Sequence, residues 1–229
     1  MKIGLLADIH GNGAALNAVL DAAPPVDAWI CAGDIVGYYP DVDQVCQTVL
    51  DIKASTVRGN HDAYVAGHLR PNPEQKSLYR TDWTREHLRR EYFDWISSLP
   101  VQLDLRFKNK QFTIRHASPW DEETYLYPDS PRLSEISLEI RTYYLLGHTH
   151  WPMIVQAGEG HIINPGSVGQ PRDYNPAASY AIVEVEAGTV TLCRAAYDVS
   201  SYQEYLSKLG WPSSTISILS RSRSGSVTS

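Results

Sequence analysis

The chain has 229 residues, 43% of them hydrophobic and 20% charged, enough for one large globular domain with a substantial core. Its formal charge of -6 argues against a broad basic face for phosphate backbones, so no stable nucleic-acid binding is expected. Three cysteines, Cys31, Cys46 and Cys193, are far apart and outside any CxxC spacing, which disfavours a disulfide framework and a thiolate zinc site.

The opening run MKIGLLADIHG reaches Asp8 and His10 too soon for a secretory core, and no later stretch approaches the roughly 20 apolar residues of a membrane span. A cytoplasmic protein with no membrane partner is the expectation. Along the first half, short apolar runs alternate with segments of helical period, the mark of α/β layering. KIGLLAD reads as a buried strand, and AALNAVLDAA as a helix with Leu16, Val19 and Leu20 on one face, stopped by Pro24 and Pro25. AWICAGD reads as a second strand. VDQVCQTVLDI follows as a helix with Val42, Val45, Cys46, Val49 and Leu50 along one face, and STVRGN as a short third strand. Parallel strands joined by helices place their carboxyl ends on one edge, where open α/β sheets bind ligands. The segments DIH, GD and GNHD that follow these strands are therefore expected to converge.

From Pro73 to Leu99, the spacing of Leu78, Trp83, His87, Phe93 and Trp95 predicts one or two amphipathic helices over the sheet. Beyond them FTIRHA, YYLLGHTH, HIINPGS, SYAIVEVEAG and TVTLCRAAY read as strands, with Gly188 turning the last pair and a helix predicted over RLSEISLEI. Strands this apolar need cover on both faces, which two face-to-face sheets with helices outside would supply. One domain is expected over residues 1–210. Residues 211–229, rich in serine, read as a disordered tail. No internal repeat is present.

The polar residues after the strands are Asp8 and His10, Asp34, Asn60 with His61 and Asp62, His116, and His148 with His150. Any one of them has an ordinary structural explanation as a cap, a turn residue or a satisfied core histidine. Together, four histidines, two aspartates and an asparagine offer oxygen and neutral nitrogen donors without thiolate, a set suited to divalent ions such as Mn, Fe, Co, Ni or Zn; ligand type does not choose among these, and Mn is the expectation. Two ions about 3.5–4 Å apart can hold a hydroxide and stabilise both the attacking and the leaving oxygen of a phosphoryl displacement, provided one carboxylate bridges. Asp34, at the end of the middle strand of the first half, is placed to do so. The i, i+2 spacing in DIH and GHTH is expected to aim two donors to one side of an extended segment.

The order D-x-H, G-D, G-N-H-[DE], a lone His and G-H-x-H over residues 8–150 resembles the signature of the calcineurin-like metallophosphoesterases. DIHGN, GDIVGYYP, HASP, GHTHWPM and NPGSVGQPRD look closest to the small bacterial and archaeal phosphodiesterase branch and carry the likeness to about residue 185. The resemblance implies a four-layer α/β/β/α sandwich of two mixed sheets flanked by helices. It implies Asp8, His10 and His150 around one ion, Asn60, His116 and His148 around the other, Asp34 bridging, and His61 facing the phosphate. Asp62 either orients His61 or caps the next segment, and Gly59 permits a tight turn.

The implied reaction is phosphodiester hydrolysis by in-line attack of a bridging hydroxide. Monoester hydrolysis is the alternative, and a noncatalytic scaffold a third reading. The stretch GDIVGYYP lacks the D-R-G of the related protein phosphatases, which leaves Arg58 and Arg172 as candidate phosphate contacts, and Tyr39 makes the adjoining loop bulky. Ser167 reads as a turn-closing residue in preference to a phosphate donor. Tyr38, Tyr39, Trp120, Tyr125 and Tyr127 lie in loops where they either stack on a ring of the substrate or pack the loops themselves. The expected partner is a small phosphoester, nucleotide-like in one form, and a dimer is compatible with the domain size.

Overall fold

The computed structural model describes residues 1–222. In chain order the first half comprises β1 (Lys2–Leu6), α1 (Gly13–Ala22), β2 (Ala28–Cys31), α2 (Val42–Asp51), β3 (Ser55–Thr56), α3 (Asn60–Ala66), α4 (Pro73–Leu78), α5 (Thr81–His87) and α6 (Arg90–Ser98). The second half comprises β4 (Gln102–Phe107), β5 (Lys110–Arg115), β6 (Thr142–Leu145), β7 (Met153–Ala157), β8 (Gly160–Asn164), β9 (Ala178–Glu184), β10 (Thr189–Ala195), α7 (Val199–Lys208) and α8 (Ser213–Ser217). The strands form two five-stranded mixed sheets, ordered β10-β9-β1-β2-β3 and β4-β5-β6-β8-β7. Each contains a parallel trio, β1-β2-β3 in one and β5-β6-β8 in the other, with antiparallel strands at the flanks.

Period-two alternation sorts the strand residues between two cores. Ile3, Leu5, Ile30, Phe112, Ile114, Tyr143, Leu145, Ala181 and Val183 meet between the sheets. Their neighbours Leu6, Cys31, Tyr180 and Ile182 turn outward beneath α1, α2 and α6, where Leu16, Val19, Val45, Val49 and Ile96 cover them. On the far face of the second sheet, Tyr144, Leu146 and Ile162 are covered by Leu126, Leu133 and Ile136. The fourth layer is therefore thin, made of irregular chain and one 3₁₀ turn.

That turn corrects the helix expected over RLSEISLEI: only Pro131–Glu135 is helical, and as 3₁₀. Leu138 instead donates its amide to Ala157 of β7, so the edge strand takes the backbone bonds that a helix would have used. The segment from Pro73 to Leu99 forms three helices where one or two were expected, broken at Arg80, whose φ is 58°, and at Leu88, whose backbone is extended. Leu50, expected on the buried face of α2, is 39% exposed.

The expected tail is also corrected over its first part. Ser213–Ser217 is α-helical and Ile218–Ser220 is 3₁₀, with Trp211 and Leu219 buried against Tyr38, Tyr39, Tyr202 and Leu206. The Trp211 indole donates to the Tyr38 carbonyl at 2.6 Å, and the Tyr39 hydroxyl donates to that of Thr215 at 3.2 Å. Trp211, Leu219 and the partly buried Ile216 suffice to dock this serine-rich segment. Residues 223–229 of the expected tail lie outside the described residues. Among the described residues no helix is long and apolar enough to cross a membrane.

Candidate metal centre

Both parallel trios end at one edge of the sandwich, and the polar residues predicted from sequence lie there. Asp8 and His10 follow β1, Asp34 follows β2, Asn60 and His61 open α3, His116 follows β5, and His148 and His150 follow β6. All eight are buried. The convergence does not come from strand alternation, as the spacing had suggested. Asp8, His10, Asp34, His148 and His150 all have left-handed backbones, with φ of 53°, 54°, 56°, 67° and 59°. Non-glycine residues adopt this region rarely and at a cost of order 1–2 kcal/mol each, and such strain gathers at functional sites. DIH and GHTH are thus paired left-handed turns beyond their strands, and these turns aim both donors inward.

The loops are held by side chains that sequence reasoning left undecided or did not assign. Asp62 accepts amide hydrogens from Asp34, Ile35, Val36 and Gly59 at 2.9–3.2 Å. Its carboxylate therefore caps the start of α3 and ties down the Asp34 loop, and it is committed to amides with no bond to the His61 ring. Gly59 has an ordinary φ of -90°, so a tight turn is not why it is glycine. A Cβ there would stand 2.0 Å from Asp34 Oδ1, so close approach is the reason. Asn164 donates to the Gly147 carbonyl and to Thr149 Oγ1, fixing the GHTH turn, and Ser167 donates to the Asp8 carbonyl at 2.7 Å, the structural role favoured from sequence.

The hydrogen bonds fix which ring nitrogens carry protons, because a backbone carbonyl only accepts. His10 Nδ1 faces the Val36 carbonyl and His150 Nδ1 that of Gln170, so both rings present bare Nε2 atoms, 3.0 Å apart. Two lone pairs face each other there with no hydrogen between them. Asp8 Oδ1 lies 3.5 Å from His150 Nε2 and 3.9 Å from His10 Nε2, and Asp8 Oδ2 is buried without any partner. On the other side His116 gives its Nδ1 hydrogen to the Ala32 carbonyl, while its Nε2 lies 3.2 Å from Asp34 Oδ2 and 3.0 Å from Asn60 Oδ1. His148 gives its Nε2 hydrogen to the Glu123 carbonyl and turns Nδ1 to Asn60 Oδ1 at 2.8 Å.

Two buried donor clusters hold the predicted ligands, Asp8–His10–His150 and Asp34–His116–His148, and a third buried group, His10–Asp34–His61, overlaps both. Asp34 Oδ1 is held by the His61 amide at 2.8 Å, while Oδ2 lies 3.7 Å from His10 and 3.2 Å from His116, between the two. Donors about 2.0–2.2 Å from one cation stand roughly 3–3.5 Å apart, close to the spacings here. The electrostatics leave three of these imidazoles neutral, the form that can ligate a cation. Burial pushes the Asp8 carboxyl up to about 7, and lowers His10 to about 4, His148 to about 3 and His150 well below its ordinary value. His116 rises to about 9 because the charge and hydrogen bond of Asp34 outweigh its burial. The clusters fit a dinuclear metal site, and converging bare nitrogens beside an unpartnered carboxylate oxygen are the chemistry of cation ligands.

The family model for the calcineurin-like phosphoesterase superfamily domain matches residues 1–188. The chain belongs to that superfamily. A metallophosphoesterase from Sphaerobacter thermophilus is 31% identical, with a TM-score of 0.81 over 96% of this chain and 98% of its own. An uncharacterised protein of Methanocaldococcus jannaschii is 31% identical over 227 residues, covering 90% of this chain and 92% of the relative. A hypothetical protein of Pyrococcus horikoshii, 21% identical, shares the fold at a TM-score of 0.78 over 95% and 97% of the two chains.

In this phosphoesterase His61 stands beside the donor clusters with aromatic rings around it: Tyr38 at 4.8 Å, Tyr79 at 4.2 Å, Tyr64 at 5.9 Å and His10 at 4.6 Å between centroids. Its Nδ1 is buried without a partner, against Gly37. Burial holds this imidazole well below its ordinary value, so it is neutral. Arg172 reaches Tyr38 Oη and Gln170 Oε1, each at 3.1 Å, and pairs with no carboxylate among the described residues. It is an uncompensated cation within electrostatic reach of Asp8. Arg58, the other arginine singled out from sequence, pairs with Glu122 at 3.1 Å. Tyr79 was not foreseen as a site residue, since it lies in the helical cover and nothing in its local sequence marks it as turned toward His61.

Proposed function

We propose that the protein is a dinuclear metal-dependent phosphodiesterase. Asp8, His10 and His150 would hold one divalent ion, Asn60, His116 and His148 the other, and Asp34 Oδ2 would be shared. The observation that carries this reading is the pair of bare Nε2 atoms of His10 and His150, 3.0 Å apart beside the unpartnered Oδ2 of Asp8, an arrangement that a bound cation makes favourable. When bound, the ions supply Lewis acidity and an activated water for in-line displacement at phosphorus.

The chain's own groups do the rest. Arg172 would anchor a nonbridging phosphate oxygen, since its guanidinium has donors to spare and no competing carboxylate. His61, neutral and with Nδ1 enclosed, would donate from Nε2 to the departing ester oxygen, stabilising its developing charge. Tyr38 and Tyr79 keep bulk water from that ring. With Arg58 engaged by Glu122, Arg172 is the main guanidinium left to meet the substrate, which favours the single negative charge of a diester over the two of a monoester.

The test is turnover of a chromogenic diester and its matched monoester by chelator-stripped protein, before and after manganese is restored. The diester is expected to be hydrolysed faster, and only after metal is restored. Activity that survives complete metal removal would overturn the mechanism, and a preference for the monoester would overturn the substrate assignment.

A further inference from the structure

We propose that the recess beside the metal centre, lined by Tyr127, Pro128, Asp129 and Trp151, is a nucleobase subsite, so that the ester hydrolysed carries a nucleoside. This rests on the phosphodiesterase reading above and names the organic part of its substrate. The recess has a volume of about 410 Å³, within the size range of small-molecule sites.

The recess is continuous with the chemistry. Trp151 directly follows His150. The Tyr127 ring stacks on Tyr125 at 6.0 Å and 10°, and Tyr125 in turn lies 3.9 Å from the His148 ring. Arg172 lies within electrostatic range of Tyr125 and Tyr127. On the opposite side the His61 ring is enclosed by Tyr38, Tyr64 and Tyr79, and Tyr38 is only 5% exposed. An ester seated on Arg172 therefore has room for its larger group toward Tyr125 and Tyr127, which are 44% and 36% exposed.

Packing accounts for Tyr125, which lies against the rings of His148 and Tyr127, but not for the exposure of Tyr127. Leu126, between the two tyrosines, is 1% exposed and anchors the loop in the core. Tyr127 and Trp151 line the recess with aromatic surface suited to a flat π-system, and stacking of a base on an aromatic ring tolerates any base. The exposed Asp129 carboxylate, which also lines the recess, can accept from the ring N–H of a base.

The test compares two diesters with the same leaving group, thymidine 5′-(p-nitrophenyl) phosphate and methyl p-nitrophenyl phosphate, on metal-loaded protein. The thymidine ester is expected to have a kcat/KM about five- to 150-fold higher, carried by KM. In the Tyr127→Ala/Trp151→Ala double variant that ratio is expected to fall to near one. Equal kcat/KM values in the unmodified protein, or an unchanged ratio in the double variant, would overturn the subsite. Calorimetric binding of thymidine 5′-monophosphate against inorganic phosphate reads the subsite without turnover. Tighter nucleotide binding lost in the double variant, with neither ester hydrolysed, would support the subsite and count against the phosphodiesterase reading. Nucleotide binding no tighter than phosphate would remove the subsite itself.

Discussion

Replacing Asp62 by asparagine isolates the device that holds the bridging carboxylate without touching a donor. The Asp62 side chain is fully buried and accepts four backbone amides, from Asp34 and Gly59 on Oδ2 and from Ile35 and Val36 on Oδ1. An asparagine keeps one accepting oxygen and turns an NH₂ toward the other two amides, so two buried donors lose their partner. At about 1–3 kcal/mol for each unsatisfied donor, Asp62→Asn is expected to destabilise the fold by about 2–6 kcal/mol, against a total of about 5–15 for a typical domain. The loop must also shift to relieve the donor–donor contact, which moves Asp34 relative to His10 and His116. Urea unfolding, metal content by mass spectrometry and diester turnover on one preparation would read the three effects. The expected outcome is a folded protein with a lower midpoint, fewer than two ions per chain and turnover reduced in proportion to metal lost. A variant of unchanged stability and metal content but greatly reduced turnover would refute the reasoning, because it would make Asp62 a partner of His61 in catalysis.

His61→Ala is expected to keep both ions and lose about 10²–10⁴-fold in turnover, checked by metal analysis beside steady-state rates. Equal loss of metal would make His61 a ligand. Trp211→Ala removes a buried indole that also donates to the Tyr38 carbonyl, and is expected to cost about 3–5 kcal/mol in a denaturant titration. Metal affinity is expected to rise with pH. In the cation-free pocket His116 holds its proton up to about 9 and Asp8 up to about 7, so below those values an incoming ion must displace protons, and above them it need not. The rise in melting temperature on adding manganese should therefore grow from pH 6 to pH 9, and a flat profile would contradict the assignment of these two groups as ligands.

The parallel trio β1-β2-β3 and the helices between its strands were legible because apolar periodicity is strong where a segment is covered on one side by helices and on the other by a second sheet. β4 and β7 were not assigned, although Leu103, Leu105 and Phe107 alternate along β4 as an edge strand should. β7 is short and begins directly after Pro152. α7 was also missed, although Asp198 caps it by accepting from the Ser201 amide, because only Tyr202 and Leu206 mark its buried face. The donor residues could be named from their position after strands, but their backbone conformation could not. Left-handed turns at Asp8, His10, His148 and His150 depend on the pairing of loops distant in sequence, such as the Asp8 amide with the Gly33 carbonyl. The same limit applies to Tyr79, which the fold brings to His61 from the helical cover, and to Glu123, whose carbonyl fixes the His148 tautomer from an irregular loop.

The most direct test is anomalous X-ray diffraction from crystals of the manganese-loaded protein. Two peaks are expected about 3.5–4 Å apart, with Asp34 Oδ2 between them, Asp8, His10 and His150 around one, and Asn60, His116 and His148 around the other. A single peak, or manganese bound away from Asp34, would contradict the dinuclear centre.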